Sequence, residues 1–208
     1  MRRKIYLVVF SIILFSLAIL LFNYYWSRPS DTKNITEVIS GRQLPDFTLI
    51  DQYNNDFSLA KVKGRPIILF FGYTNCPDVC PYAMMKISES LRESMKLLNR
   101  DVESFAVIFI TVDPLRDTPQ VLSLWASKYY AYTIALTGDL EELKRVWTIY
   151  GVVRAEDYDE ISIVGGYYFI SHSAVIYVAD KNHILRYILT PETSIDEFKR
   201  ALLDVLRS

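Results

Sequence analysis

The sequence predicts an α/β sandwich domain that follows one apolar segment at the N-terminus. Residues 5–26 contain no charged side chain, residues 66–73 and 105–112 are apolar runs of strand length, and the segments after these runs show helical spacing of apolar residues. The chain has 208 residues, of which 51% are hydrophobic and 23% charged. It therefore has enough apolar material for one sizeable core and is not disordered as a whole.

Residues 5–26 are predicted to form a membrane anchor. A helix of this length would span about 33 Å, enough to cross a hydrocarbon core of ~30 Å. Arg2, Arg3 and Lys4 precede the segment, which predicts a cytoplasmic N-terminus. The alternative, a cleaved signal peptide, would have a shorter apolar region and a small-residue cleavage site. We therefore expect a single crossing of the plasma membrane, with the rest of the chain on the extracytoplasmic side.

The remainder divides into a polar tether over residues 27–43 and a domain over residues 44–208. The tether contains the sequon Asn34-Ile35-Thr36, but such triplets also arise by chance, and we do not expect it to be used. The formal net charge is −1, and three of the basic residues stand before the apolar segment. This balance argues against a nucleic-acid partner.

Strand and helix patterns alternate along the domain. Residues 47–50 and 57–59 flank a turn-rich segment and predict a β-hairpin. The runs 66–73 and 105–112 predict two strands buried on both faces, and a helix from near Cys80 to Leu98 is predicted between them.

Helix signals and a late strand pair complete the domain. The predicted elements are a helix opened by Thr118-Pro119, a helix that follows Gly138-Asp139, runs through Tyr150 and is ended by Gly151, strands over 174–178 and 184–189, and a helix capped by Ser194 that runs to Leu206. This order is that of a thioredoxin-like sandwich with an N-terminal hairpin addition. Its strand–helix–strand unit implies a right-handed parallel core.

Two cysteines lie just beyond the first buried strand, in the segment FGYTNCPDVCP at residues 71–81. Ligands of open sheets bind beyond the carboxyl ends of strands, and Cys76 and Cys80 are one helical turn apart. With Pro77 at the first helical position, Cys76 would lie at or near the N-cap, where amide dipoles favour a thiolate. Two thiolates suit a soft ion such as Cu(I), and they also suit a reversible disulfide. An inert buried pair is disfavoured by the turn-forming residues around the cysteines.

The chain has two histidines, His172 and His183. His183 is predicted to face solvent in the turn between the last two strands. His172 precedes the first of those strands, in a loop that in this fold order runs beside the cysteines. Thioredoxin relatives have a cis-proline in that loop, whereas this chain has no proline between Pro119 and Pro191. His172 is therefore the candidate third ligand.

FGYTNCPDVCP resembles the signature of the SCO/SenC family, the membrane-anchored copper chaperones for cytochrome oxidase. Three further blocks resemble that family in the same order: TVDPLRDTP at 111–119, LTGDLEELKRVWTIYGV at 136–152 and HSAVIYVAD at 172–180. The resemblance covers residues from about 44 to 208, and the predicted anchor agrees with it.

The resemblance implies that Cys76, Cys80 and His172 bind copper, as Cu(I) or Cu(II), without enzymatic turnover. It implies delivery to the binuclear copper centre of oxidase subunit II, with an upstream copper donor and a thiol reductant as further partners. Ser171 stands where the family usually has aspartate, and this departure bears on the affinity for Cu(II).

The resemblance also assigns four charged residues. Asp78 matches an acidic residue that tunes the site or its docking. Asp113, Arg116 and Asp117 match the second block, where we expect them to fix the loop before the helix at Thr118.

A thiol–disulfide oxidoreductase that reduces the cysteines of the oxidase copper site is the alternative function. Both functions need Cys76 and Cys80, but only the chaperone needs His172. A peroxidase is a weaker hypothesis, because the cysteines are close in sequence rather than split.

Overall fold

The computed structural model describes residues 2–26, 35–37, 41–129, 132–153, 163–164, 167–168 and 170–208. The chain divides into two compact units, Met1–Lys33 and Asn34–Ser208. The described part of the first unit is the helix α1 (Arg2–Trp26). Among the described residues no helix combines the length and apolarity needed to cross a membrane. The membrane anchor therefore stays a prediction.

The second unit is built on a mixed sheet. Its described strands are β1 (Ile35–Glu37), β2 (Thr48–Asp51), β3 (Asp56–Ser58), β4 (Ile67–Gly72), β5 (Ala106–Thr111), β6 (Thr133–Thr137), β7 (Ile163–Val164), β8 (Tyr167–Tyr168), β9 (Ile176–Ala179) and β10 (Leu185–Leu189). Strands β7 and β8 pair with each other, and the others form one sheet in the order β1-β10-β9-β4-β5-β6-β2-β3. Strands β4, β5 and β6 are parallel, and the remaining pairs in this sheet are antiparallel.

Helices cover both faces of this sheet. They are α2 (Val79–Leu98), α3 (Pro119–Ala126), α4 (Leu140–Tyr150) and α5 (Ile195–Val205). Strand β4 is buried along its whole length, and its alternate side chains enter two hydrophobic clusters. Leu69 and Phe71 pack in the cluster that contains residues of α4, while Ile68 and Phe70 pack with residues of α2, α3 and α5. This two-sided burial explains the continuous apolar run.

The predicted α/β sandwich and its leading hairpin, β2–β3, are confirmed. Three helix-end predictions are also confirmed: Thr118 caps α3 by accepting from the Val121 amide, Gly151 ends α4 in the left-handed region at φ 69°, and Ser194 begins α5 with a capping box.

Four of the strands in the described part of the chain are not among the predicted elements: β1, β6, β7 and β8. Strand β6 lies between β5 and β2, so the hairpin joins the main sheet through it. Strand β1 lies inside the segment 27–43 that the sequence predicts to be a tether, and it pairs with β10.

Candidate metal centre

The strand register brings His172 to the edge of the sheet at which the two cysteines lie. Strands β4 and β5 end together, with Gly72 opposite Thr111. Strand β9 runs antiparallel to β4, and Phe70 lies opposite Ile176. Residues that precede β9 therefore lie at the same edge as residues that follow β4. The sequence prediction of this juxtaposition agrees with the structure.

A turn after β4 holds Cys76 in front of helix α2. The Cys76 amide donates to the Tyr73 carbonyl at 3.2 Å. The helix begins at Val79 with Asp78 as its N-cap, so Cys76 lies two residues before the cap. The prediction that Pro77 occupies the first helical position is wrong.

Pro81 explains where α2 begins. It is the third residue of the helix, where a residue without an N–H is tolerated because the first amides have no intrahelical acceptor. A helix that began at Pro77 would set the Pro81 ring against the Pro77 carbonyl.

The two thiols are close but differently exposed. Both cysteines are free, Cys76 is partly exposed and Cys80 is fully buried. The backbone amide of Cys80 donates to the Cys76 sulfur at 3.4 Å, so this sulfur acts as a cap for the first turn of α2. Gly72 makes room for the buried thiol, because a Cβ at that position would lie 2.7 Å from the Cys80 sulfur.

The thiols differ in acidity as well. A hydrogen bond with the Cys80 thiol lowers the pKa of Cys76 to about 5, assisted by the backbone amides of Cys80 and Asp78 and by His172, although burial acts in the opposite direction. The same hydrogen bond, together with burial, raises the pKa of Cys80. At neutral pH Cys76 is therefore a thiolate and Cys80 is the thiol that donates to it.

His172 presents a ring nitrogen that lacks a partner in the described structure. Its Nδ1 lies 3.1 Å from the Ile170 carbonyl, which assigns an N–H to Nδ1, so that in the neutral ring the lone pair is on Nε2. Nε2 is buried and has no hydrogen-bond partner among the described residues. The Tyr73 ring packs edge-on against the imidazole at a centroid distance of 5.8 Å. A buried acceptor without a partner is costly, and a bound ion would remove that cost.

The chemistry of these donors fits copper. Two sulfurs suit Cu(I), and an imidazole nitrogen suits both Cu(I) and Cu(II). Within the described residues, no three His, Cys, Asp or Glu side chains are grouped closely enough to hold a metal ion. The three candidate ligands, Cys76, Cys80 and His172, thus lie at one edge of the sheet but are not yet close enough together to coordinate one ion.

A buried carboxylate ties the loop before α3 to the cysteine turn. Asp117 accepts hydrogen bonds from the Thr74 amide and hydroxyl and from the Thr111 hydroxyl. Burial raises the pKa of Asp117, although these hydrogen bonds oppose the shift. Asp113, also buried, pairs with Arg116. These residues fix the loop before α3, as expected, and Asp117 also holds the segment that leads to Cys76.

Two further residues that the family resemblance connects with the site lie at the surface. Asp78 and Ser171 are both exposed. Neither donates to or accepts from the thiols through its side chain in a hydrogen bond that the described structure records.

His183 corrects one prediction. It lies in the turn between β9 and β10, as predicted, but it is 8% exposed rather than solvent-facing. Its Nε2 lies 3.3 Å from the Val62 carbonyl, because the segment after the hairpin covers this turn. A pocket of about 250 Å³ adjoins it. Since Ala179 lies opposite Ile67 at the start of β4, His183 is at the sheet edge away from the cysteines.

Two tyrosines near the thiols are not among the predicted site residues. Burial raises the pKa of Tyr73 and of Tyr129, and the charge of the nearby cysteines adds to both shifts. Tyr73 has a sequence signal, since it directly follows β4. Tyr129 follows α3 without any motif that marks it.

The family model described as SCO1/SenC matches residues 40–207 of the chain. The chain belongs to the SCO1/SenC family. The resemblance to this family is thus confirmed, and Cys76, Cys80 and His172 all lie within the matched residues.

Two relatives illustrate the sequence similarity. A protein of Stutzerimonas stutzeri, named as a candidate copper-binding protein, is 34% identical over 176 residues, which cover 85% of this chain and 83% of that protein. An SCO2-like protein of Rickettsia prowazekii is 35% identical over 139 residues, which cover 65% of this chain and 63% of that protein.

Solved structures agree with this relationship. Copper-bound ScoI of Bradyrhizobium japonicum has a TM-score of 0.67 and 32% identity, covering 80% of this chain and 99% of that one. BsSco, described as a member of the Sco family of cytochrome c oxidase assembly proteins with a disulfide switch, has a TM-score of 0.61 at 20% identity, covering 83% of this chain and 99% of that one. The likeness to BsSco concerns the fold alone.

Proposed function

We propose that this protein is a copper metallochaperone that binds copper through Cys76, Cys80 and His172. In this proposal it delivers copper to the binuclear centre of cytochrome oxidase subunit II. The observation that carries the proposal is the buried, unpartnered Nε2 of His172 at the sheet edge of a thiolate–thiol pair. Membership of the SCO1/SenC family and the copper-bound relative support it.

The acidities of the thiols shape how copper, the cargo, would bind. Cys76 offers a thiolate at neutral pH, and the neutral ring of His172 would offer the lone pair of Nε2. Cys80 is a thiol and must lose its proton to become a ligand, so we expect copper uptake to release a proton.

The thiols must be reduced before they bind copper. A disulfide between Cys76 and Cys80 would remove two of the three ligands. The compartment outside the cytoplasmic membrane is usually oxidising, so the proposal includes a thiol reductant and an upstream copper donor as partners.

A thiol–disulfide oxidoreductase is the second candidate function. It is favoured by one observation, the pairing of a partly exposed thiolate, Cys76, with a buried thiol, Cys80. That arrangement suits an attacking and a resolving cysteine. His172 would then be dispensable.

Replacing each histidine separates the two functions. We expect His172→Ala to weaken copper binding by more than the 10–100-fold typical of residues that only orient a ligand, because it removes a ligand. The dithiol should still oxidise and reduce. His183→Ala is the matched control, since it removes the other histidine of the chain, which is buried at the opposite sheet edge.

Copper affinity by chelator competition and oxidase assembly in cells are the measurements. If the protein is a chaperone, His172→Ala should bind copper weakly and should not support oxidase assembly. His183→Ala should bind copper normally and should support assembly to the extent that the variant is folded. If His172→Ala binds copper as the unaltered protein does and supports assembly, the oxidoreductase is the better hypothesis.

A further inference from the structure

Asp117 is a buried carboxylate that the proposed copper chemistry does not use. Its exposure is 0%, and both of its oxygens accept hydrogen bonds. Oδ1 accepts from the Thr74 hydroxyl at 2.5 Å, and Oδ2 accepts from the Thr74 amide at 3.1 Å and from the Thr111 hydroxyl at 2.5 Å. A buried carboxylate is costly, and these donors offset that cost.

The donors belong to two segments that meet at the cysteine edge. Thr111 is the last residue of β5, and Thr74 lies in the turn between β4 and α2. The same turn contains Cys76, whose amide donates to the Tyr73 carbonyl. Asp117 therefore joins the end of β5 to the turn that sets where the Cys76 sulfur lies.

We propose that Asp117 is a positioning residue for the cysteine site. By fixing Thr74 through its amide and its hydroxyl, it holds Cys76 where the sulfur meets the Cys80 amide at 3.4 Å. Its described hydrogen bonds go to Thr74 and Thr111 and not to either thiol, so through them it acts on the site by way of the turn. The copper part of this inference rests on the proposed function.

Asp180 provides a matched control. It is also a buried aspartate, 4% exposed, and it also organises a turn by accepting from backbone amides, those of Asn182 at 2.9 Å and Ile184 at 3.1 Å. It directly follows β9, in the turn that contains His183, at the sheet edge away from the cysteines. A loss of stability alone would appear in variants of either aspartate.

The first test measures Cu(I) affinity of the reduced full-length protein by competition with a chromophoric chelator. We expect Asp117→Ala to bind Cu(I) about 10–100-fold more weakly, the range found when a residue that orients a ligand is removed. Asp117→Asn should stay within a few fold, because an amide oxygen can still accept from the Thr74 amide and its NH₂ can donate to the Thr74 hydroxyl. Asp180→Ala should leave the affinity unchanged.

A second test does not depend on copper. Oxidised glutathione closes the Cys76–Cys80 disulfide and is itself reduced to two molecules of glutathione. We expect Asp117→Ala to slow the intramolecular closing step, while Asp117→Asn and Asp180→Ala close it as the unaltered protein does.

The outcomes are distinguishable. Unchanged affinity and unchanged closure in Asp117→Ala would overturn the positioning role, and so would equal losses in Asp117→Ala and Asp180→Ala. If the unaltered protein binds no Cu(I) but closure still depends on Asp117, the copper function fails and the positioning role stands.

Discussion

The acidity of Cys76 is set by the groups around its sulfur. Its pKa is lowered to about 5, first by the Cys80 thiol and then by backbone amides and His172. Since a lower pKa means that the thiolate persists to lower pH, the alkylation rate of Cys76 should rise as pH passes through about 5 and then level off. A free thiol, with a pKa of about 8.5, would continue to gain reactivity well above neutral pH.

Iodoacetamide labelling of the reduced protein, followed by mass spectrometry from about pH 4 to about pH 9, measures this rate. The buried Cys80 should remain unlabelled in the folded protein and react after denaturation, which serves as the internal control. A Cys76 rate that still climbs steeply above neutral pH would contradict the assigned thiolate.

The two histidines show what residue-level patterns can and cannot predict. His172 could be assigned to the cysteine edge because strand order determines which loops meet there. The burial of His183 could not be predicted, because it depends on Val62, a residue far away in sequence that covers the turn. A short polar turn predicts exposure only when no other segment packs over it.

Among the elements, α5 offers a stability test that changes none of the candidate ligands. Ser194 accepts from the Glu197 amide, and the Glu197 side chain accepts from the Ser194 amide, so the cap satisfies two donors. We expect Ser194→Ala to lower the free energy of unfolding by ~1 kcal/mol. Urea denaturation measures this change, and Ser194→Thr, which keeps the oxygen, should lose less.

Copper affinity of the folded Ser194→Ala protein should be unchanged, because the described hydrogen bonds of the capping box join Ser194 to Glu197 and to none of the candidate ligands. A stability equal to that of the unaltered protein would show that the capping box contributes nothing in this context.

Elements with local signals could be predicted from the sequence, whereas elements that depend on pairing could not. Strands β4 and β5 are long apolar runs, and Thr118 and Ser194 mark helix starts. Strand β6, in contrast, has only the apolar triplet Ile134-Ala135-Leu136, shorter than the run that indicates a buried strand. Strand β1 is three residues in a polar segment, and it exists through its pairing with β10.

At the scale of the whole molecule, we propose that residues 5–26 anchor the protein in the plasma membrane with the domain outside the cytoplasm. The absence of charge in this segment and the three basic residues before it support the proposal. Cys76 is partly exposed, so a membrane-impermeant maleimide should label it in intact, reduced cells.

Cys76→Ser is the control for that experiment. It should abolish the label, because the cysteine that it leaves, Cys80, is buried and does not react. Labelling that appears only after lysis, with the thiols shown to be reduced, would place the domain in the cytoplasm and contradict the proposed topology.

Gly72 has a consequence for anyone who wishes to transplant this thiol pair into another α/β scaffold. The sulfur of Cys80 occupies the space that a side chain at the end of β4 would need, since a Cβ there would approach it to 2.7 Å and Phe109 to 3.0 Å. Copying the CxxxC segment alone onto a strand that ends in alanine or valine would push the buried thiol out of its place. The shortest segment that can be transplanted therefore begins at the glycine four residues before the first cysteine, and it includes the backbone at the end of the strand.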